Sequence, residues 1–144
     1  DALAMADEES PDLLICMATL TGAARVALGP DLPPFYTDNG ALAHQITRAA
    51  RAEADPLWRM PFWEGYEQNI EPGIADLDNA PKGGMAGSIN AALFLRRFVE
   101  NAAHFAHIDI YGWTPAARPA RPVGGEAQGG RALLSVIEAQ FDEG

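Results

Sequence analysis

The sequence predicts an α/β fold, on three observations. The short apolar run Leu13–Ala18 and a second candidate, Phe105–Ile110, with His107 and Asp109 on one face, have the length of strands rather than helices. Three longer segments, from about Ala41 to Glu53, Ile89 to Val99 and Arg131 to Phe141, carry apolar residues at helical spacing. These segments follow one another as helix, strand, helix, helix, strand, helix, an order that implies layers of helix against sheet.

Ala2 to Glu9 reads as the last turns of a helix, stopped by Ser10-Pro11. It has no cap before it, which suggests that residue 1 is an internal position of a longer protein. The run Leu13–Ala18 follows Pro11 and is expected to be a strand buried on both faces. It runs directly into Thr19-Leu20-Thr21-Gly22, two hydroxyls and a glycine at the carboxyl end of a strand. Ligands of open α/β sheets bind in that crevice, and Gly22 lets the backbone bend or approach a ligand closely. The same four residues also suit a plain turn, with threonine chosen for β propensity.

Arg25 to Leu28 continues extended or briefly helical to Gly29-Pro30, and Phe35-Tyr36 after Pro33-Pro34 suits a short strand. Thr37-Asp38-Asn39 offers caps for the helix that Asp55-Pro56 ends, and His44 lies on it as an ordinary half-exposed histidine. Trp58-Arg-Met-Pro-Phe-Trp63 is an aromatic cluster of the kind that packs a core or a subunit interface. Glu64 to Ile70 reads as a short helix ended by Pro72-Gly73. Ile74 to Leu77 suits a strand that delivers Asp76 and Asp78 to one face, where two acids without a third ligand serve solvent or capping.

Lys82-Gly-Gly-Met-Ala-Gly87-Ser88 is a glycine-rich loop opening a helix, but its lysine precedes the glycines, so the Walker pattern fails. Small residues packed around a pocket mouth explain it better. His104-x-x-His107-x-Asp109 could imitate a metal site or be ordinary buried His–Asp hydrogen bonding. Ala116 to Gly130 is loop, with Arg118, Arg121 and Arg131 available to pair with acids of neighbouring segments. The last helix is expected to turn Leu133, Leu134, Ile137 and Phe141 inward, and Asp142-Glu143-Gly144 is a tail.

At 144 residues the chain suits one domain with a real core. Its 48% hydrophobic fraction argues against disorder. Twenty acidic against ten basic residues give a net charge of −10, which argues against nucleic-acid and anionic-membrane partners. The single cysteine, Cys16, sits in the apolar run as a small core hydrophobe and cannot form an internal disulfide. No stretch approaches the roughly 18 apolar residues of a membrane span, and the acidic start lacks the basic region of a signal peptide.

Five ordered blocks carry a resemblance. They are Ala18-Thr-Leu-Thr-Gly22-Ala, Leu57-Trp-Arg-Met-Pro61, Ala75-Asp-Leu-Asp-Asn79, Gly83-Gly-Met-Ala-Gly87 running into Ala91-Ala-Leu-Phe-Leu95, and Ala106-His-Ile-Asp-Ile110. Together they cover nearly the whole chain and resemble the leucyl (cytosol) aminopeptidase family, in the second half of its catalytic domain. Tyr111-Gly-Trp-Thr-Pro115 and Gly124-Gly-Glu-Ala-Gln-Gly-Gly130 resemble one bacterial branch, where the commoner form has Ala-Gly after the strand.

The resemblance implies part of a mixed central sheet flanked by helices, with residues 1–144 a partial catalytic domain lacking the upstream metal-ligand segment. It implies a cytoplasmic homohexamer that removes N-terminal, leucine-like residues from peptides with two divalent metals, zinc or manganese. In the family the last metal ligands directly precede the Asp-Ala-Leu with which this chain opens. No catalytic residue and no complete metal ligand set is therefore expected within it, and the upstream part of the same protein becomes a partner. By motif position Thr19, Gly22, Ala86 and Ile89 match residues lining the pocket for the substrate's first side chain, and Leu20 matches one whose carbonyl meets the substrate. The competing expectation is a catalytically incompetent structural or assembly fragment of such an enzyme. A serine or cysteine hydrolase is a poor alternative, because Thr19, Ser88 and Cys16 lie in no nucleophile motif.

Overall fold

The computed structural model describes residues 1–71 and 73–141; the expected break at Pro72, the side chain of Phe141 and the tail 142–144 lie outside the described residues. In chain order the elements are α1 (Ala2–Asp7), β1 (Leu14–Ala18), α2 (Gly22–Leu28), β2 (Pro34–Tyr36), α3 (Gly40–Ala52), β3 (Trp58–Arg59), a 3₁₀ segment (Glu64–Asn69), α4 (Gly87–Arg96), β4 (Phe105–Asp109), β5 (Trp113–Thr114), β6 (Gly124–Gly125) and α5 (Gly130–Phe141).

The main sheet is mixed, in the order β1-β4-β2-β3. β1 runs parallel to β4, β4 antiparallel to β2, and β2 parallel to β3. Successive strand residues point to opposite faces, so β2 divides the molecule. Phe35 joins Leu42, Ile46, Ile108, Leu133 and Val136 in a core under α3 and α5. Tyr36 joins Phe62, Ile70, Ala92 and Leu93 in a second core under α4. β4 has a hydrogen-bonded neighbour on each side, which is why Ala106, His107 and Ile108 are wholly buried.

Several expectations need correction. β1 is half-buried, because it is the outermost strand and only β4 pairs with it; Met17 is 41% exposed and Cys16 only partly covered. Arg25–Leu28 belongs to a helix that begins at Gly22, since the Thr21 hydroxyl accepts the Ala24 N–H (3.1 Å) and caps it. Ile74–Leu77 is a series of bends, not a strand: Ile74 is fully exposed and the segment pairs with no strand among the described residues. The aromatic cluster splits, with Phe62 buried while Trp58 and Trp63 remain more than half exposed. On α5, Ala132, Leu133 and Val136 are the buried residues and Leu134 and Ile137 face outward, because the contact with α3 turns the i, i+1, i+4 edge inward. The segment Ala116–Gly130, expected as plain loop, contains β6, which pairs with β5 just before it in a small hairpin.

Of the three arginines, Arg118 pairs with Asp31 and Arg131 with Asp55 of other segments, as anticipated, whereas Arg121 pairs with Glu126 of its own segment. No helix among the described residues is long and apolar enough to cross a membrane.

Candidate functional site

The parallel strands β1 and β4 end side by side, and Asp109 closes β4 with only 3% of its surface exposed. A buried carboxylate needs donors, and this one collects four. Its Oδ1 accepts the backbone N–H groups of Leu20 (3.0 Å) and Thr21 (3.2 Å). Its Oδ2 accepts the hydroxyls of Thr21 (2.6 Å) and Ser88 (3.3 Å). Ser88 lies in the first turn of α4, so one side chain fixes both the corner after β1 and the start of α4.

Ser88 Oγ also lies 2.6 Å from the Tyr36 hydroxyl. Ser88 has one proton and gives it to Asp109, so Tyr36 donates to Ser88. Burial pushes the Tyr36 phenol up to about 12; its bond to Ser88 opposes this and the Asp109 charge reinforces it. The phenol is therefore a fixed neutral donor at any ordinary pH.

Two further contacts shape the corner. A Cβ on Gly87 would lie 3.1 Å from the Ala23 side chain, so α4 approaches α2 closely through a residue with no side chain. Ala86, just before it, adopts a left-handed conformation (φ 56°) to open α4. On the other side, the Thr19 hydroxyl donates to the Tyr111 carbonyl (3.4 Å), and Gly112 (φ 66°) packs against it. Gln128 holds that turn, accepting the Tyr111 and Gly112 N–H groups (3.0 and 2.9 Å) and donating to the Pro30 carbonyl (2.7 Å).

Of the residues singled out in the sequence, Thr19, Leu20 and Gly22 form one exposed rim at the end of β1. Ala86 precedes Gly87, whose close approach to Ala23 brings the start of α4 against α2. Ile89 is half-buried and packs against the Tyr36–Phe62–Ile70 core. A cavity of about 370 Å³ opens between the corner, the 78–87 loop and α4, lined by Leu20, Ile70, Pro81, Met85, Asn90 and Phe94 among others. Its size and mainly apolar lining suit a small ligand or side chain. The glycine-rich loop does border its mouth, at Gly83 and Gly87.

The metal reading of His104, His107 and Asp109 fails on geometry. The exposed His104 ring hydrogen-bonds to Asn39 (2.9 Å). Wholly buried His107 pairs its Nδ1 with the Cys16 carbonyl (3.3 Å), which requires a proton on Nδ1 and leaves Nε2 without a partner. Burial lowers the His107 pKa, opposed by Asp109 and by the Cys16 carbonyl, so the ring is neutral. Among the described residues no three His, Cys, Asp or Glu side chains are grouped to hold a metal ion. Asp78 caps a turn at the Ala80 N–H (2.9 Å).

Asp109 as the organiser of the corner, and Tyr111 and Arg25 as its border, were not identified from sequence. The signal available for Asp109 was its place at a strand end in a chain whose other strand ends in two hydroxyls.

Comparison with known proteins completes the picture. Residues 1–134 match the model of the cytosol aminopeptidase family, catalytic domain. A probable cytosol aminopeptidase of Synechococcus sp. (strain CC9902) is 41% identical over 143 residues, covering 97% of this chain and 29% of that protein. The crystal structure of a cytosol aminopeptidase from Coxiella burnetii superposes with a TM-score of 0.91 at 44% identity, covering 98% of this chain and 31% of that one. The bottromycin maturation enzyme BotP in complex with Mn gives a TM-score of 0.85 at 30% identity, covering 97% and 32%. The chain thus spans less than a third of the length of these relatives.

Proposed function

The chain belongs to the cytosol aminopeptidase family, and on that premise we propose that residues 1–144 form part of the catalytic domain of a metal-dependent aminopeptidase that removes leucine-like N-terminal residues from peptides. The observation that supports this most is the corner at the end of β1. Thr19, Leu20 and Gly22 stand exposed at the carboxyl end of the sheet, held in one conformation by a buried carboxylate. In this proposal Thr19, Gly22, Ala86 and Ile89 line the pocket for the first side chain, and the Leu20 carbonyl meets the substrate backbone. Burial of a leucine side chain there contributes about 2 kcal/mol.

The metals, zinc or manganese, are held in this reading by residues outside this chain, and no chemical step is assigned to the residues within it. The whole protein is proposed to be a cytoplasmic homohexamer, acting on peptides rather than on nucleic acid or membranes. The test is hydrolysis of leucyl-anilide by the whole protein with and without chelator. Chelator-sensitive cleavage is expected, and its absence overturns the reading.

A second reading is favoured by one observation, the lack of a clustered ligand set among the described residues. It holds that these 144 residues on their own are a catalytically incompetent structural segment. Hydrolysis of leucyl-anilide by the isolated chain with added manganese or zinc overturns it.

A further inference from the structure

We propose that Arg25 is a specificity residue that extends this site to peptides beginning with an acidic side chain. The inference rests on the reading of Gly22 as part of the first-side-chain pocket, and it deepens that reading.

Gly22 and Arg25 lie three residues apart on α2, hence on one face of the helix. A Cβ placed on Gly22 would point at one group only, the Arg25 guanidinium, with Nη2 at 3.7 Å. The space that a side chain at Gly22 would enter is therefore bordered by a positive charge. That charge is held in place by a ring: Arg25 Cζ lies 4.9 Å from the centroid of Tyr111, in the cation–π arrangement that orients arginine without neutralising it. Tyr111 is fixed in turn, its N–H by Gln128 and its carbonyl by Thr19.

Arg96, Arg97, Arg118, Arg121 and Arg131 each meet a carboxylate. Arg25, like Arg48, Arg51 and Arg59, meets none among the described residues, and of these four it is the one seated on an aromatic ring. In a chain with twice as many acids as bases, a cation seated on an aromatic ring with no counter-charge beside it is suited to receive a carboxylate from elsewhere. The group that arrives next to Gly22 in the proposed pocket is the first side chain of the peptide. A planar guanidinium binds glutamate or aspartate there through charge-assisted hydrogen bonds, and offers less to the isosteric amide.

The test compares kcat/KM for glutamyl-, glutaminyl- and leucyl-anilide in the intact, metal-loaded enzyme. Wild type is expected to cleave the glutamyl substrate about tenfold or more faster than the glutaminyl one, as one charge-assisted contact implies. Arg25→Gln is expected to bring that ratio to about one, and Arg25→Glu to shift preference to lysyl-anilide, through loss and reversal of the same contact. A wild-type ratio at or below one overturns the proposal without any variant, and so does a ratio that neither substitution moves. If wild type cleaves leucyl-anilide while the ratio stays at one, only the role of Arg25 fails; if it cleaves none of the three, the aminopeptidase reading fails with it.

Discussion

At the scale of single residues, two buried aspartates matter most, and both do their work far along the chain. Asp109→Ala would leave the Leu20 and Thr21 N–H groups and two hydroxyls without their acceptor at a part-buried corner. The expected cost is about 3 kcal/mol, read as a lower denaturation midpoint, together with a loss of leucyl-anilide turnover in the intact enzyme. Asp7 is 3% exposed and accepts the N–H groups of Glu100 (2.8 Å), Asn101 (2.9 Å) and Ala102 (2.8 Å) and the Asn101 amide (3.0 Å). Burial alone raises its pKa; the hydrogen bonds outweigh that and leave it below its ordinary 3.8. A depressed carboxylate adds stability that is fully present above pH 3.8 and disappears as pH falls through the folded value. Asp7→Asn is therefore expected to lower Tm at pH 7, with the gap from wild type closing in thermal melts as pH falls below 3.8. Neither role was readable from local pattern. Asp7 sits in an acidic run that looks solvated, and its partners lie 93–95 residues away. For Asp109, alternation along the strand places it on the face of His107 without revealing the threonines delivered by β1.

At the scale of elements, the long periodic segments were the legible part. The spacing through Ala41–Glu53 and Arg131–Phe141 gives α3 and α5 nearly to the residue, since helical periodicity over three turns has few competing explanations. Short segments were less legible. Ile74–Leu77 is short and mostly apolar, as a strand can be, but finds no neighbour to pair with among the described residues, and Gly22–Leu28 hides its cap inside an apparent strand-end motif. The meeting of α3 and α5 also depends on one residue: Asp55, just past α3, accepts the N–H groups of Gly129 (2.9 Å), Arg131 (3.0 Å) and Ala132 (3.3 Å) and so caps α5 from another part of the chain. Asp55→Ala is expected to destabilise the protein by about 1–2 kcal/mol, as loss of a helix cap does, with the amide-exchange protection of α5's first turn falling before that of β4.

At the scale of the whole molecule, the sheet has an edge at each end, the two-residue β3 on one side and the longer β1 on the other. β4 and β2 are interior, whereas β1 has a free edge among the described residues, with the half-covered Leu13 and Ile15 and the exposed Ile137 beside it. Prepared alone, these residues are expected to associate or to bind a hydrophobic dye, measured by light scattering and dye fluorescence; a dye-silent monomer would show that the edge is tolerated in water. The capping of α5 by Asp55 has a consequence for how the polypeptide is made. Residues 130–141 leave the ribosome after the whole of α3 has emerged, so their first amide groups find a receptor already in place. α5 is thus added to a seat that is already synthesised, and a ribosome stalled before it would hold a nascent chain whose Asp55 carboxylate waits, unsatisfied, for the amides it is placed to receive.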